Sequence, residues 1–133
     1  MGQIANSQTP EEVTEAGMDT IQEVILAARA ASEKKALEIV VLDLREIASF
    51  TDYFLICSGK NVRNVQAIAD SVRDSLRAAG RRPSHTEGYS AAEWILLDFG
   101  DFIVHAFGEQ ARRFYDLERL WRDASRVALP DDV

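Results

Sequence analysis

The chain has 133 residues, of which 47% are apolar, and this length and composition are typical of a single domain with its own hydrophobic core. Its 22 acidic and 15 basic side chains give a net charge of -7, which argues against broad contact with phosphate backbones, although a patch of the surface could still be basic. The single cysteine, Cys57, excludes an intramolecular disulfide framework, and no apolar run approaches the roughly 18 residues that suggest a membrane span.

The first segment of the chain is acidic. Residues 1–33 carry six acidic side chains and one basic side chain, and the N-terminus has neither the apolar stretch of a signal peptide nor the Arg and Ser bias of a transit peptide. We therefore expect a flexible acidic leader over residues 1–17 in a cytosolic protein. From Met18 onward, apolar side chains recur at helical spacing, which predicts a first helix over residues 18–32.

Two strands and a second helix are predicted next. The β-branched and apolar runs Glu38–Leu44 and Tyr53–Ser58 are separated by a polar break and predict a pair of strands. Asn61 can cap the following helix at its start, and Gly80 can end it. The apolar positions of this helix are Val65, Ile68, Ala69, Val72 and Leu76.

The C-terminal half predicts three more strands and a last helix. Residues 85–87 form a short strand, and residues 92–99 and 102–107 form two longer ones joined by the hairpin turn Gly100-Asp101. A helix is expected from Glu109 to Ala124, and residues 125–133 are expected to form a C-terminal tail whose last part, Pro130–Val133, is unstructured. The element order predicts an α/β (α+β) fold: one domain, residues 18–124, with helices packed on a mixed β-sheet of about five strands.

One short motif resembles a catalytic site but has a simpler explanation. Asp98-Phe-Gly100 spells the metal-binding tripeptide of protein kinases, but the other kinase motifs are absent and a hairpin turn is needed here. Asp98 and Asp101 could approach Mg²⁺, but turn chemistry explains Asp101 more simply. We therefore expect no metal site at this turn.

His105 interrupts an apolar strand. A zinc site made with His85 and Cys57 is not supported by the spacing of the three residues. His105 is better interpreted as a partly buried histidine with a hydrogen-bond partner, or as one displayed on a sheet face. Cys57 lies between apolar neighbours and is interpreted as a small hydrophobic residue, so we expect no catalytic residue, metal or cofactor here.

Charged and aromatic side chains are concentrated near the C-terminus. The last helix is the most basic segment, and its arginines alternate with acidic residues at spacings that favour i,i+3 and i,i+4 pairs, which indicates a solvated face. These arginines are Arg112, Arg113, Arg119, Arg122 and Arg126. Eight aromatic side chains lie between Tyr89 and Trp121, and of these Trp94 and Tyr115 are equally compatible with a core and with a binding surface.

Seven stretches, taken in order, carry a resemblance to a known family. They are Glu38–Leu44, Thr51–Gly59, Val65–Asp70, Glu87-Gly88, Trp94–Asp101, Ile103–His105 and Arg113–Trp121. In order and spacing they closely resemble the ribosomal silencing factor family, also called Iojap-like proteins, over residues 19–122. Asn61 stands where the family usually has Ser, and both residues can cap a helix.

The resemblance implies a translation regulator that is not an enzyme. Members of the family bind the large ribosomal subunit through its fourteenth ribosomal protein, at the face where the small subunit docks, and so block subunit joining when nutrients are short. Their fold is similar to that of nucleotidyltransferases without the catalytic residues. Family members are often dimers, so the resemblance also implies a homodimer when free. The acidic balance of the chain fits docking on a basic ribosomal protein with little direct nucleic-acid contact, and the lack of a long apolar run predicts no membrane contact.

A docking face can be assigned to one predicted strand. Trp94, Leu96 and Asp98 alternate along it and therefore point to the same side of the sheet. His105 on the neighbouring strand would extend this face, and Tyr115 of the last helix would frame it. These five residues are the predicted contacts with the ribosomal protein.

Two other functions stay open on the residues alone. One is a nucleotide-handling enzyme, in which Ser58-Gly59 would cradle a phosphate before a helix and Asp98 and Asp101 would supply carboxylates. The glycine patterns of phosphate-binding loops are absent, which counts against it. The other is a dimeric adaptor for an unrelated protein.

Overall fold

The structure, a computed structural model, describes residues 17–133, so residues 1–16 of the predicted leader lie outside the described residues. The elements of the described chain, in order, are α1 (Thr20–Glu33), β1 (Leu37–Asp43), β2 (Tyr53–Gly59), α2 (Val62–Ala78), β3 (His85–Glu87), β4 (Trp94–Asp98), β5 (Phe102–Gly108), α3 (Glu109–Tyr115), α4 (Leu117–Leu120) and β6 (Ser125–Arg126).

The first two helices begin at capping residues. The Asp19 carboxylate accepts a hydrogen bond from the backbone N–H of Gln22, and the Gln22 side chain accepts one from the N–H of Asp19, both at 3.0 Å, which forms a capping box before α1. Asn61 accepts a hydrogen bond from the N–H of Asn64 at 2.7 Å before α2. The second helix buries the five predicted apolar positions, so this prediction is confirmed.

All six strands of the described chain form one sheet in the order β3-β4-β5-β2-β1-β6. The pair β2 and β5 is parallel and the other neighbouring pairs are antiparallel, so the sheet is mixed, as predicted. The hairpin between β4 and β5 turns at Gly100-Asp101, where the N–H of Phe99 donates to the carbonyl of Phe102 at 2.9 Å. The five predicted strands are confirmed, and β6 is a sixth.

The two faces of the sheet are covered differently. Helices α1 and α2 pack on one face, where Val24 and Val72 meet strand residues such as Leu97 in the larger buried cluster. On the opposite face a smaller cluster forms around Phe107 and Leu117, so α3 and α4 cover mainly the central strands. The part of this second face that β4 forms therefore lies beside α3 and α4.

The predicted helix from Glu109 to Ala124 is wrong, because the chain breaks it at Asp116. This residue has φ 49° and ψ 57°, the left-handed conformation, and it separates α3 from α4. Asp tolerates this conformation better than most residues, so neither Gly nor Pro is needed to end the helix. The buried Arg112 of α3 is held by Glu118 of α4, with N···O distances of 2.8 and 3.1 Å.

The prediction that Pro130–Val133 is unstructured is also wrong, because the whole tail, residues 125–133, is tied to the domain. Strand β6 pairs with β1, and the N–H of Val127 donates to the carbonyl of Val41 at 2.9 Å. Asp132 forms an ion pair with Arg29 of α1 at 2.9 Å. Three apolar side chains of this segment pack on the larger cluster, namely Val127, Leu129 and Val133.

Candidate functional site

Strand β4 presents alternate residues to opposite faces of the sheet. Ile95 and Leu97 are fully buried under the long helices, whereas Trp94, Leu96 and Asp98 are partly exposed on the opposite face. This alternation is the one that the sequence predicts. The structure therefore brings three of the five predicted docking residues together on one strand.

Trp94 is fixed in orientation although part of it is exposed. Its indole N–H donates a hydrogen bond to Nδ1 of His105 at 3.1 Å. Its ring lies 4.9 Å from the ring of Phe107 and 4.7 Å from that of Tyr115, measured between centroids. A large aromatic ring held in this way can enter a partner's pocket with little loss of side-chain entropy.

His105 lies beneath the docking face and does not extend it. Its side chain is 3% exposed, and its ring is covered by Trp94 and by the edge-on ring of Phe54 at 4.4 Å. The prediction that His105 contacts a partner is therefore corrected, because it is the buried histidine with a hydrogen-bond partner. Burial lowers the pKa of His105 to about 3, so the ring is neutral at physiological pH.

Tyr115 frames the face from the end of α3, as predicted. It is 49% exposed, and the ring of Phe114 stands perpendicular to it at 5.0 Å. Beside these rings, an open groove of about 670 Å³ runs between the start of α2 and the start of α3, and Asn61 and Glu109 line its two sides.

An acidic edge of the face was missed by the sequence analysis. In the β3–β4 ladder His85 pairs with Asp98 and Glu87 pairs with Leu96, and directly paired residues share a face. His85 and Glu87 contact each other and are more than half exposed. No sequence pattern marks this pairing, because β3 has only three residues and is too short to fix its register on β4.

The residues of the nucleotide-enzyme alternative do not converge on an open site. The Ser58 hydroxyl is 1% exposed and accepts a hydrogen bond from Nη1 of Arg112 at 2.8 Å. Asp98 accepts a hydrogen bond from the N–H of Gly100 at 2.8 Å and so serves the hairpin turn. Burial raises the pKa of the Cys57 thiol to about 12, which keeps it protonated.

Two general features of residues 17–133 bear on function. No group of three or more His, Cys, Asp or Glu side chains in this range is arranged to hold a metal ion. Within the same range, no helix combines the length and the apolar character needed to cross a membrane.

Comparison with known proteins agrees with this architecture. Residues 18–133 match the family described as "Ribosomal silencing factor during starvation". The chain is 41% identical over 104 residues to the ribosomal silencing factor RsfS of Halalkalibacterium halodurans, a match that covers 78% of this chain and 89% of that protein. It is 42% identical over 99 residues to RsfS of Bacillus subtilis, covering 74% and 84% of the two chains.

A solved structure supports the same assignment. A crystal structure of a protein from Chromobacterium violaceum superposes with a TM-score of 0.77 at 31% identity, and the match covers 84% of this chain and 92% of that one. The fold, the family match and the curated relatives agree, and the chain belongs to the ribosomal silencing factor family.

Proposed function

We propose that this protein silences translation by docking on the large ribosomal subunit and excluding the small one. It binds the fourteenth ribosomal protein of the large subunit, at the face that the small subunit approaches. Membership of a family named for ribosomal silencing supports the role. The docking site is inferred from the placement of Trp94: its hydrogen bond to His105 holds the indole on a sheet face, where it remains partly exposed.

The composition of the face fits a basic protein partner. Trp94 and Leu96 supply apolar contacts, and Asp98 and Glu87 place carboxylates at the border. Ribosomal proteins are basic because they bind RNA, so opposite charges would orient the encounter and raise its rate. Binding energy in such interfaces is concentrated in a few aromatic anchors, and Trp94 with Tyr115 has this character.

The mechanism is steric exclusion without turnover. A protein bound where the small subunit must approach blocks joining by its volume alone, and no catalytic group is required. Inhibition should then be stoichiometric, because a blocker acts only where it is bound. It should also be competitive, because two ligands that exclude each other lower each other's affinity reciprocally.

Titration of the protein into purified subunits tests this mechanism. The joined fraction, followed by light scattering or on a gradient, should fall to its limit near one bound copy per large subunit. Excess small subunits should relieve the inhibition. Full inhibition far below one copy per large subunit would indicate an enzyme that modifies the ribosome and would overturn the proposal.

The free protein is a homodimer in this proposal and acts in the cytoplasm, where the subunits join. Seven large apolar side chains of the described chain are at least 39% exposed, and apolar surface of this kind is commonly covered by a partner. They are Leu37, Ile47, Phe50, Val62, Phe114, Tyr115 and Leu120. Light scattering should give about twice the chain mass of 14.8 kDa, and a monomer mass at tens of micromolar would contradict the dimer.

A further inference from the structure

The arginines of this acidic chain fall into two groups. Six of them form ion pairs with carboxylates, namely Arg29, Arg45, Arg73, Arg77, Arg81 and Arg112. The other six have no such pair with any described residue, and four of these lie close together in sequence near the C-terminus. These four are Arg113, Arg119, Arg122 and Arg126.

The helix break at Asp116 removes the predicted partner of one of these arginines. In one continuous helix, Glu118 would lie one turn before Arg122, at the spacing that favours ion pairs. Glu109 does lie one turn before Arg113 within α3, but the two side chains form no ion pair. In the structure Glu118 instead turns back to the buried Arg112, six positions earlier. The predicted pattern of i,i+3 and i,i+4 pairs in this segment is therefore wrong, and the guanidinium groups remain available to a partner.

Three of the unpaired arginines line one concave surface. Arg113, Arg119 and Arg122 surround a cavity of about 410 Å³, which we call the basic cavity. Asp116 is the only acidic residue among those that line it, so the described lining has a net positive charge. The remaining side chains at this surface are apolar and very exposed: Phe114 at 79%, Leu120 at 72% and Tyr115 at 49%.

This combination matches the chemistry of single-stranded RNA. Guanidinium groups bind phosphate oxygens through paired N–H donors, and an exposed aromatic ring can stack on an unpaired base. A single-stranded nucleotide offers both groups at once, a phosphate for the arginines and a base that can stack on the ring of Phe114. A chain of net charge -7 would not hold free RNA through so small a patch, so the contact requires a second anchor.

We propose that the basic cavity contacts a loop or single-stranded segment of ribosomal RNA when the protein is docked. The inference rests on the proposed function, because the Trp94 face supplies the second anchor. Tyr115 belongs to both surfaces, since it contacts Trp94 and lines the cavity, so the RNA segment lies directly beside the docked ribosomal protein. The basic cavity thereby adds a salt-sensitive contact to a protein–protein interface.

Matched pairs of arginine variants test the proposal. Arg119→Gln combined with Arg122→Gln should weaken binding to purified large subunits by tenfold or more at about 0.1 M salt, and should lower the slope of log affinity against log salt by about 1.5. Arg63→Gln combined with Arg82→Gln removes the same charge from two exposed arginines outside the cavity and should change neither quantity. Phe114→Ala should weaken binding to large subunits at least about fivefold.

Two further measurements distinguish a contact with RNA from a contact with the ribosomal protein. Binding to the isolated fourteenth ribosomal protein should be unchanged in the Arg119/Arg122 variant, although Trp94→Ala should weaken it. In a hydroxyl-radical footprint at saturating protein, the wild type should protect an RNA backbone segment that the Arg119/Arg122 variant leaves exposed.

The possible failures are distinguishable. Equal affinity and salt slope in the two arginine pairs, or no protected RNA beneath the bound wild type, would overturn the RNA contact and leave the docking proposal standing. An equal loss of affinity for the isolated ribosomal protein in the Arg119/Arg122 variant would assign the cavity to a protein contact. Failure of the wild type to bind large subunits would overturn the proposed function and this inference with it.

Discussion

The indole N–H of Trp94 donates to Nδ1 of His105 at 3.1 Å, although the two residues are diagonal neighbours in the ladder of β4 and β5. An accepting Nδ1 carries no proton, so the hydrogen of the neutral ring is on Nε2. That buried Nε2 has no hydrogen-bond partner among the described residues. A second proton on the ring would place two donors against each other, so protonation of His105 would break its hydrogen bond to Trp94.

We expect acidification to destabilise the fold through His105. Burial holds the folded pKa at about 3, whereas an unfolded histidine has a pKa of about 6.5. Between these values the unfolded chain binds more protons, so the free energy of unfolding falls as pH falls, by up to about 1.4 kcal/mol per pH unit. Above about pH 6.5 this group adds no pH dependence. Urea unfolding at pH 5 and pH 7 measures the effect.

A non-titrating variant isolates this contribution. In His105→Asn the amide oxygen can still accept the Trp94 N–H, but the side chain has no charged form, so stability should depend less on pH than in the wild type. His85→Asn, at the exposed histidine of β3, is the matched control variant. Identical slopes for His105→Asn and the wild type would contradict the assignment.

Truncating the aromatic anchors should weaken docking. Trp94→Ala and Tyr115→Ala should each reduce affinity for the fourteenth ribosomal protein at least about tenfold, because buried aromatic anchors contribute about 2 kcal/mol or more. Ile47→Ala removes a side chain that is 43% exposed near the end of β1, across the sheet from β4, and is the control. Calorimetry measures the affinities, and far-UV circular dichroism confirms folding. Wild-type binding by both folded aromatic variants would show that the face is misassigned.

Gly88 is expected to be intolerant of a side chain. It has φ +81°, and a Cβ atom built on it would lie 2.1 Å from the carbonyl oxygen of Trp94, so the start of β4 would have to move. Gly88→Ala should therefore lower the free energy of unfolding by at least about 2 kcal/mol. Gly100→Ala is the matched control, because Gly100 has φ +90° but its Cβ would meet nothing within 4 Å, and it should cost about 1 kcal/mol. Equal losses in denaturant melts would refute the steric argument.

The two ends of the chain should respond differently to deletion. Removing residues 125–133 eliminates β6 and three packed apolar side chains, so the free energy of unfolding should fall by at least about 2 kcal/mol. A chain that starts at Met18, where the family match begins, should unfold as the full chain does and still bind ribosomes. Urea melts compare the three chains. Loss of cooperative unfolding in the chain without the leader would show that residues 1–17 have a structural role.

Local patterns predicted most of the sheet and both long helices. The structure confirms the alternation along β4 and the cap at Asn61. Both could be predicted because neighbouring residues encode them. Asp116 differs, because its left-handed conformation accompanies a contact between Arg112 and Glu118 across the break, which no helical spacing marks. The pairing of β6 with β1 joins distant parts of the chain, and no local pattern marks so short a strand.

The candidate site, like the fold, could be predicted only in part from the sequence. Strand alternation correctly placed Trp94, Leu96 and Asp98 on one face. Burial of His105 depends on the rings of Phe54 and Trp94, which each pack on it from a neighbouring strand, and sequence spacing cannot show this. The ion pairs predicted for the C-terminal arginines assume one continuous helix, whereas the structure breaks it at Asp116, and Arg113 stays unpaired even within α3.

The parallel pairing of β2 with β5 has a consequence for how the chain folds. Tyr53 pairs with Phe102, so α2, β3 and β4 must all lie inside the loop that this pairing closes. Closing such a loop is entropically costly, and non-local pairings of this kind slow folding. The hairpin that carries Trp94 gains its place in the sheet only when β5 reaches β2. A chain in which that step has not occurred has no assembled docking face, so substitutions that weaken the β2–β5 contact should delay the appearance of ribosome-binding activity during refolding.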